Sequence, residues 1–263
     1  MPTQLEQILA HTQLEVTNRR AVAGIALLQQ RAAAHTPRGF EAALRSAAAS
    51  GPAIIAELKK ASPSRGLIRS DFDPSALARS LESAGAAALS VLTNEKFFQG
   101  SLENLTLASS AVSIPCLRKD FILDPFQILE ARAACADAIL LIVAALTDAE
   151  LKTLRDEARR MELDVLCEVH DRGELDRAAA LGFTVIGVNS RNLHTMQVVP
   201  RTQLDLAEWL PREAVHVAES GIRTASDISQ MRKSGYHAFL IGESLMGQPD
   251  PAAALTGLLE QAE

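Results

Sequence analysis

Charged and amide side chains follow several short apolar segments of this chain, at the points where those segments end. They are Glu57, Lys59, Lys119, Glu168, Asn189, Arg191 and Glu219. Carboxylates and ammonium groups that share one concavity typically act as general acids and bases, and they are costly to bury unless they are paired. If the fold brings these segment ends together, we expect acid/base catalysis; otherwise they are ordinary solvated strand ends.

The apolar segments have the length of buried strands, and amphipathic segments with capping residues lie between them. The strand candidates are residues 53–58, 86–92, 112–117, 137–143, 164–169, 184–188, 215–219 and 237–242, and the helix candidates include 74–85, 148–162, 171–182 and 224–235. Eight strand-then-helix units without a linker predict an α/β fold, a single (β/α)8 TIM barrel. The alternative is a doubly wound open sheet, but residues 59–66 lack the glycine-rich dinucleotide turn that would follow its first strand.

The first 48 residues precede the first predicted strand and carry apolar residues at helical spacing. Pro37-Arg38-Gly39 breaks this region into pieces. We expect residues 1–48 to form an N-terminal helical extension that packs on the barrel or caps one of its ends. Residues 49–263 then form the barrel as one domain.

Side-chain alternation predicts where the charged residues point. Glu57 and Lys59 share a strand face with Ile55, and Glu168 shares one with Leu166. In a TIM barrel the chemistry lies where strands end and the βα loops begin. If Ile55 and Leu166 are interior, both carboxylates point into the mouth of the barrel.

Loops seven and eight suggest a phosphate site. Ser220-Gly221 follows the seventh predicted strand and Gly242-Glu243-Ser244 follows the eighth, each before a helix start. TIM barrels commonly hold a phosphate at these loops. The long first loop, 59–73, is either an insertion or a binding loop, and Phe97-Phe98 is either core or a wall for a planar ring.

Composition and spacing argue against several other classes. The chain has 26 basic and 32 acidic residues, a net charge of −6, and its basic residues are scattered, so we expect no nucleic-acid partner. The longest apolar run, 138–146, is far shorter than the roughly 20 residues of a membrane span, and the N-terminus lacks an export signal. We therefore expect a soluble cytoplasmic protein without a membrane partner, with Cys116, Cys135 and Cys167 reduced.

Two histidines, His170 and His194, lie near predicted strand ends. Neither has a partner at H-x-x-H or H-E-x-x-H spacing. We interpret both as structural and expect no metal site.

Seven segments together resemble one known family. They are 55-IAELKKASPSRG-66, 89-LSVLTNEKFFQGS-101, 117-LRKDFILDPFQI-128, 164-DVLCEVHD-171, 186-IGVNSRNL-193, 217-VAESGI-222 and 240-LIGESLM-246. In this order they resemble the indole-3-glycerol-phosphate synthase family of tryptophan biosynthesis. The resemblance implies a carboxy-lyase that closes the ring of 1-(2-carboxyphenylamino)-1-deoxyribulose 5-phosphate and releases CO₂ and water, without metal or organic cofactor. Some members are fused to an isomerase barrel, which we do not expect here, because the chain ends about one helix after the eighth strand.

The resemblance also implies roles for single residues. Lys119 corresponds to the general acid that polarises the ribulose carbonyl, with Glu57 as its orienting partner. Lys59 corresponds to the lysine that meets the substrate carboxylate and protonates the departing hydroxyl, although the division of steps between the two lysines stays open. Glu168 corresponds to the general base, Asn189 to a residue that holds substrate hydroxyls, and Glu219 to a further active-site carboxylate.

Binding residues follow from the same resemblance. Positions matching the phosphate site are Ser62, Ser220, Gly221, Gly242 and Glu243, and positions matching the aromatic pocket and its rim are Phe98, Phe121, Leu140, Leu193 and Arg191. Family members often have a small residue where Glu243 stands. We therefore expect a backbone N–H contact there, with the carboxylate turned out.

Two other functions remain open at this point. One is another phosphate-binding barrel, such as a sugar-phosphate isomerase, which needs a base and an acid but not two inward lysines and an aromatic wall. The other is a noncatalytic phosphate-binding barrel, which would tolerate the loss of Lys119 or Glu168, whereas both are present.

Overall fold

Eight parallel strands close into a barrel in the computed structural model, which describes residues 2–193, 195, 197–199 and 201–262. The strands are β1 (Ala53–Leu58), β2 (Ala88–Leu92), β3 (Cys116–Lys119), β4 (Ala138–Ile142), β5 (Asp164–Val169), β6 (Val185–Asn189), β7 (Val215–Glu219) and β8 (Ala238–Ile241). Each strand pairs with the next, and β8 pairs with β1. The predicted TIM barrel is confirmed.

Helices connect the strands and precede the first of them. They are α1 (Gln4–Val22), α2 (Ile25–Ala34), α3 (Phe40–Ala48), α4 (Pro74–Ser83), α5 (Glu95–Phe98), α6 (Leu102–Ser110), α7 (Pro125–Ala133), α8 (Asp148–Arg160), α9 (Arg172–Ala180), α10 (Thr202–Leu206), α11 (Ala225–Lys233), α12 (Glu243–Met246) and α13 (Pro251–Gln261). Side-chain caps set many of the helix starts, as at α8, where Thr147 and Glu150 form a reciprocal capping box. None of the helices in the described part of the chain has the length and apolar character that a membrane span requires.

Alternation along the strands divides the buried side chains into two layers. Ile55, Leu117 and Leu166 belong to the layer inside the barrel. Their neighbours in sequence, such as Ile54 and Cys167, belong to the layer between barrel and helices. Residues two positions beyond the inner layer therefore face the barrel mouth, which is where Glu57, Lys119 and Glu168 lie.

Helix α3 of the N-terminal extension covers the amino-terminal end of the barrel. Its Phe40 and Leu44 are fully buried and pack against the inner layer. The Glu41 backbone N–H donates to Asp164 at the start of β5, 2.8 Å away, and the Glu41 carboxylate accepts from Thr184 just before β6. These contacts hold α3 across the strand starts.

Helix α1 lies instead at the opposite end. Its Leu5 packs on the inner layer, and its Ile8 lines the cavity at the carboxyl ends of the strands. The extension thus contacts both barrel ends rather than one, because a second break, at Ala23-Gly24, separates α1 from α2.

Arg38, in the predicted break, anchors the extension. Its guanidinium and its backbone N–H donate to Asp137, which is fully buried just before β4. The guanidinium also donates to the carbonyls of Ser109 and Val112. A segment that looked like a simple interruption is therefore tied to the barrel wall by a buried ion pair.

Candidate active site

A cavity of about 920 Å³ opens at the carboxyl ends of the strands. Every site residue named from the sequence lines it, from the charged residues to the predicted phosphate loops and the aromatic wall. The barrel therefore brings together the segment ends that the sequence spreads over more than half of the chain. His194 lies outside the described residues.

Lys119 forms the centre of the charged group. Its Nζ lies 2.7 Å from Glu219 Oε2, 3.6 Å from Glu168 Oε2 and 3.8 Å from Glu57 Oε2. All three carboxylates are almost fully buried. An unpaired buried carboxylate is energetically costly. The Lys119 ammonium group therefore stabilises all three of these carboxylates, each of which comes from a different strand.

The pairing differs from the one the resemblance implied. Glu57 forms its closest ion pair with Lys59, and Lys119 forms its hydrogen bond with Glu219. Glu57 and Lys59 are two residues apart on one strand face, so their side chains are neighbours. Glu219, rather than Glu57, orients Lys119 in this structure.

The charge states follow from this geometry. Burial would lower the pKa of Lys119, but Glu219, Glu168 and Glu57 outweigh it and raise that pKa. Burial disfavours ionised Glu168, yet Lys119 and His170 hold its pKa below the usual range. Burial and then the neighbouring Glu168 raise the pKa of Glu219 despite Lys119. At neutral pH the cluster therefore holds the Lys119 ammonium group beside the ionised Glu168 carboxylate.

Two glycines make room for the carboxylates, and the sequence analysis did not assign them this role. A Cβ on Gly187 would overlap Glu219 Oε1, and a Cβ on Gly242 would lie 2.5 Å from Glu57 Oε1. Gly187 is on the inner face of β6, opposite Glu168 in the register. The sequence did carry a signal for this role, because a glycine at an inward position of a barrel strand indicates that another group approaches closely there.

Arg118, the residue before Lys119, does not line the cavity. Arg118 is 1% exposed, and its guanidinium hydrogen-bonds Asp120, Thr93 and the Gln127 carbonyl. Thr93 also donates to Asp120, 2.7 Å away. This network behind β3 fixes the strand end from which Lys119 projects.

His170 contacts the charged group from the turn after β5. Its Nε2 lies 3.2 Å from Glu168 Oε1, and its Nδ1 lies 3.0 Å from Glu174 Oε2. The sequence interpretation of His170 as structural did not connect it with Glu168. The signal was its position two residues after Glu168, which alone does not reveal that the chain turns there.

Apolar side chains form one wall of the cavity. The rings of Phe98 and Phe121 are 6.5 Å apart between centroids and inclined by 33°. Leu140 and Leu193 line the cavity with them, and Ile8 of α1 adds a surface that the sequence analysis did not include. This wall suits a planar aromatic group.

The loop after β7 has an unusual backbone. Ser220 and Gly221 both have positive φ, 65° and 80°. The carbonyls of Glu219 and Ser220 accept hydrogen bonds from the Gln203 amide, which fixes the turn. Ser62 of the first loop lines the same end of the cavity, in a short hairpin (61–62 with 66–67) that the sequence did not predict.

Glu243 links three loops at the rim. Its Oε1 accepts from Arg65 Nε at 2.8 Å, and its Oε2 lies 3.8 Å from a guanidinium nitrogen of Arg191. The side chain, expected to turn out, runs along the rim between these two arginines. The pair of guanidinium groups compensates the negative charge that Glu243 brings to this end of the cavity.

Comparisons of the whole chain point to one family. A family model described as indole-3-glycerol phosphate synthase matches residues 5–258. The chain is 60% identical over 259 residues to an indole-3-glycerol phosphate synthase of Koribacter versatilis (strain Ellin345), covering 98% of this chain and 100% of the relative. It is 48% identical over 256 residues to one of Acidithiobacillus ferrooxidans (strain ATCC 53993 / BNL-5-31), covering 97% of each.

Solved structures with a similar fold are much more distant in sequence. KGPDC from Streptococcus mutans aligns with a TM-score of 0.62 at 10% identity, covering 81% of this chain and 98% of that one. 3-Hexulose-6-phosphate synthase aligns with a TM-score of 0.61 at 14% identity, covering 80% and 100%. These similarities show the barrel fold alone.

Proposed function

The chain belongs to the indole-3-glycerol phosphate synthase family, and on this premise we propose how its buried charges divide the chemistry. The family is a decarboxylating lyase of tryptophan biosynthesis with a phosphorylated small-molecule substrate. The observation that carries the proposal is the position of Lys119 Nζ within 4 Å of three buried carboxylates on the cavity floor.

The reaction sets a proton balance. When 1-(2-carboxyphenylamino)-1-deoxyribulose 5-phosphate becomes indole-3-glycerol phosphate, the ketone oxygen leaves as water, so two protons must reach it. The methylene carbon beside nitrogen must lose one proton. When CO₂ leaves, the electron pair of the broken carbon–carbon bond returns to the ring. The site therefore needs an acid on the ketone oxygen and a base at the methylene group.

We assign the acid of ring closure to Lys119. Its ammonium group is buried and held by Glu219, so it is aimed at one point in the cavity. As the new carbon–carbon bond forms, charge develops on the ketone oxygen, and a fixed ammonium group stabilises and protonates it. Glu219 remains the acceptor of the Lys119 hydrogen bond, and the proton that Lys119 gives up is replaced from solvent.

Glu168 is assigned the base of the dehydration. Lys119, His170 and the neighbouring Asn189 amide lower its pKa and so keep it ionised. Asn189 Oδ1 accepts the Arg191 backbone N–H at 2.9 Å, which leaves the amide NH₂ for Glu168 and for substrate hydroxyls.

We assign to Lys59 the donation of the second proton to the oxygen that leaves as water. Its pairing with Glu57 at the cavity edge supports contact with the substrate carboxylate before decarboxylation. Phe98 and Phe121 then face the aromatic ring, and the loops of Ser220-Gly221 and Gly242 accept the phosphate through backbone N–H groups.

We further propose that the protein works in the cytoplasm, without a nucleic-acid partner. Three free cysteines, typical of a reducing compartment, and a net charge of −6 support this proposal.

Turnover of the carboxyphenylamino-deoxyribulose phosphate tests the function. Purified protein should generate indole fluorescence from this substrate. An isomerase would convert sugar phosphates without that signal. A noncatalytic barrel would bind the substrate, seen as a raised melting temperature, without turnover, and either result would contradict the proposal.

A further inference from the structure

His170 lies between two carboxylates at the turn after β5. Its Nδ1 and its backbone N–H both face Glu174 Oε2, at 3.0 and 2.8 Å. On the other side its Nε2 lies 3.2 Å from Glu168 Oε1, with the length of a hydrogen bond but not its ideal direction. The ring is mostly buried, and Glu174 is the third residue of α9.

The chemistry of these partners fixes the form of the ring. Ionised carboxylates only accept hydrogen bonds, and neutral imidazole carries only one N–H. A ring that faces a carboxylate at each nitrogen is therefore favoured as imidazolium, which carries an N–H on both nitrogens and a positive charge. In agreement, although burial opposes the charge, Glu168 and Glu174 raise the pKa of His170 to about 10.

We infer that His170 is a positioning residue for the catalytic base: its imidazolium, kept charged by Glu174, holds Glu168 ionised and aimed at the substrate. The inference rests on the proposed function, in which Glu168 is the base. His170 touches no reacting atom and acts through Glu168.

The groups facing Glu168 show why a second cation matters. They are Lys119 from β3, Glu57 from β1, Glu219 from β7 and Asn189 from β6. The single Nζ of Lys119 is shared among three carboxylates, whereas His170 has a separate nitrogen, Nε2, that faces Glu168. Removing an opposite charge within about 4–6 Å raises a carboxyl pKa by roughly 1–3 units. Without the imidazolium, less Glu168 is ionised as the pH falls.

The test compares His170→Gln and Glu174→Gln with the wild type in kcat and KM between pH 5 and 8. Gln keeps a donor near the Nε2 position but carries no charge. We expect kcat at pH 8 to fall about 3- to 10-fold with KM within about twofold, because Glu168 is aimed less well. The ratio of variant to wild-type kcat should be at least about twofold lower at pH 5 than at pH 8. Taking this ratio removes the pH dependence that other titrating groups contribute equally to both proteins.

Glu150→Gln is the matched control, since Glu150 is also the third residue of its helix but is exposed and caps Thr147. It should give a constant ratio near one. If His170→Gln does not fold, Glu174→Gln carries the same test with the imidazole retained. A ratio independent of pH overturns the inference, whether or not the rate falls, because a merely structural role predicts no pH effect.

A Glu168→Gln variant separates this inference from the proposed function. If it is inactive while His170→Gln keeps a pH-independent ratio, only the role of His170 fails. If Glu168→Gln keeps wild-type activity, the assignment of the base fails and the role of His170 fails with it.

Discussion

Three carboxylates and two ammonium groups at the barrel mouth form one electrostatic unit, so no member can be changed without affecting the others. Lys119 contacts Glu57, Glu168 and Glu219, and Lys59 contacts Glu57. Each residue of the unit therefore carries two consequences, one for catalysis and one for the stability of the fold.

Glu168→Gln should lower kcat by about 10²- to 10⁴-fold, because the amide keeps the shape but accepts no proton. Substrate affinity should stay within about tenfold, which separates chemistry from binding. The measurement is steady-state indole fluorescence, with circular dichroism to verify folding. A folded variant with near wild-type kcat would move the base to another residue.

Gly187→Ala should lower kcat by roughly 10- to 100-fold. The added methyl group overlaps the Glu219 carboxylate and displaces it from Lys119, and a hydrogen bond to a charged group contributes about 1.5–3 kcal/mol. Gly51→Ala is the control, because a methyl group there meets nothing within 4 Å. A Gly187→Ala rate within twofold of wild type contradicts the steric role.

At the residue scale, the sequence predicted which side chains point inward but not how they pair. Alternation places Glu57, Lys119 and Glu168 on inner faces because the period of a strand is two. The partner of Lys119 comes from β7, and its distance depends on the register around the closed barrel, which no local pattern encodes. The contact between His170 and Glu168 was missed for a local reason, because a spacing of two residues does not show that the chain turns after β5.

At the scale of elements, the N-terminal extension is joined to the barrel through Arg38 and Asp137. The carboxylate is fully buried and also accepts the Cys116 backbone N–H at 2.6 Å. The anchor connects α2 and α3 with the start of β4, next to the strand that carries Lys119. It gives a long extension one rigid point of attachment.

Arg38→Met should lower the free energy of unfolding by about 3–5 kcal/mol, because it leaves Asp137 buried without its guanidinium partner. Urea unfolding at pH 8 is the measurement, since the burial-lowered pKa of His35 keeps that neighbouring ring neutral there. Arg160→Met, which removes an exposed pair with Glu157, should change stability by less than about 1 kcal/mol. If both variants lose a similarly small amount of unfolding free energy, the Arg38–Asp137 pair does not anchor the extension.

The sequence predicted the barrel elements well, because capping residues and apolar segments define them locally. Strands β1, β5 and β7 have the predicted bounds, while β3 begins at Cys116 rather than at residue 112. The hairpin at 61–62 and 66–67 and the break at Ala23-Gly24 were not predicted. The hairpin and the break depend on how neighbouring segments pack in three dimensions. The position of α1 at the mouth of the barrel depends on the same packing.

At the scale of the whole molecule, a ligand that binds only the folded barrel stabilises all of it. Inorganic phosphate should therefore raise the melting temperature and inhibit competitively with substrate. At about 100 times Kd the stabilisation is roughly 2.7 kcal/mol. Chloride at matched ionic strength should not reproduce the shift, and if it does, the effect is not phosphate binding.

Gly221→Leu should abolish the phosphate-specific shift. Gly221 has φ 80°, and a side chain there crowds Val198 and Ser190. Gly235→Leu is the matched control, because Gly235 has φ 95° with open space around it and does not line the cavity. It carries the same kind of backbone strain and should keep the shift. An unchanged shift and inhibition constant in Gly221→Leu would place the phosphate elsewhere.

In the proposed mechanism the buried ammonium group of Lys119 drives ring closure, so kcat should separate Lys119→Met from Lys60→Met. Lys60 is a neighbour of Lys59 in the first loop but does not line the cavity, so its variant should turn over at the wild-type rate. Lys119→Met, verified as folded, should lose about 10²- to 10⁴-fold in kcat with KM within about tenfold. If Lys119→Met keeps more than about a tenth of the wild-type kcat, Lys119 is not the acid of ring closure.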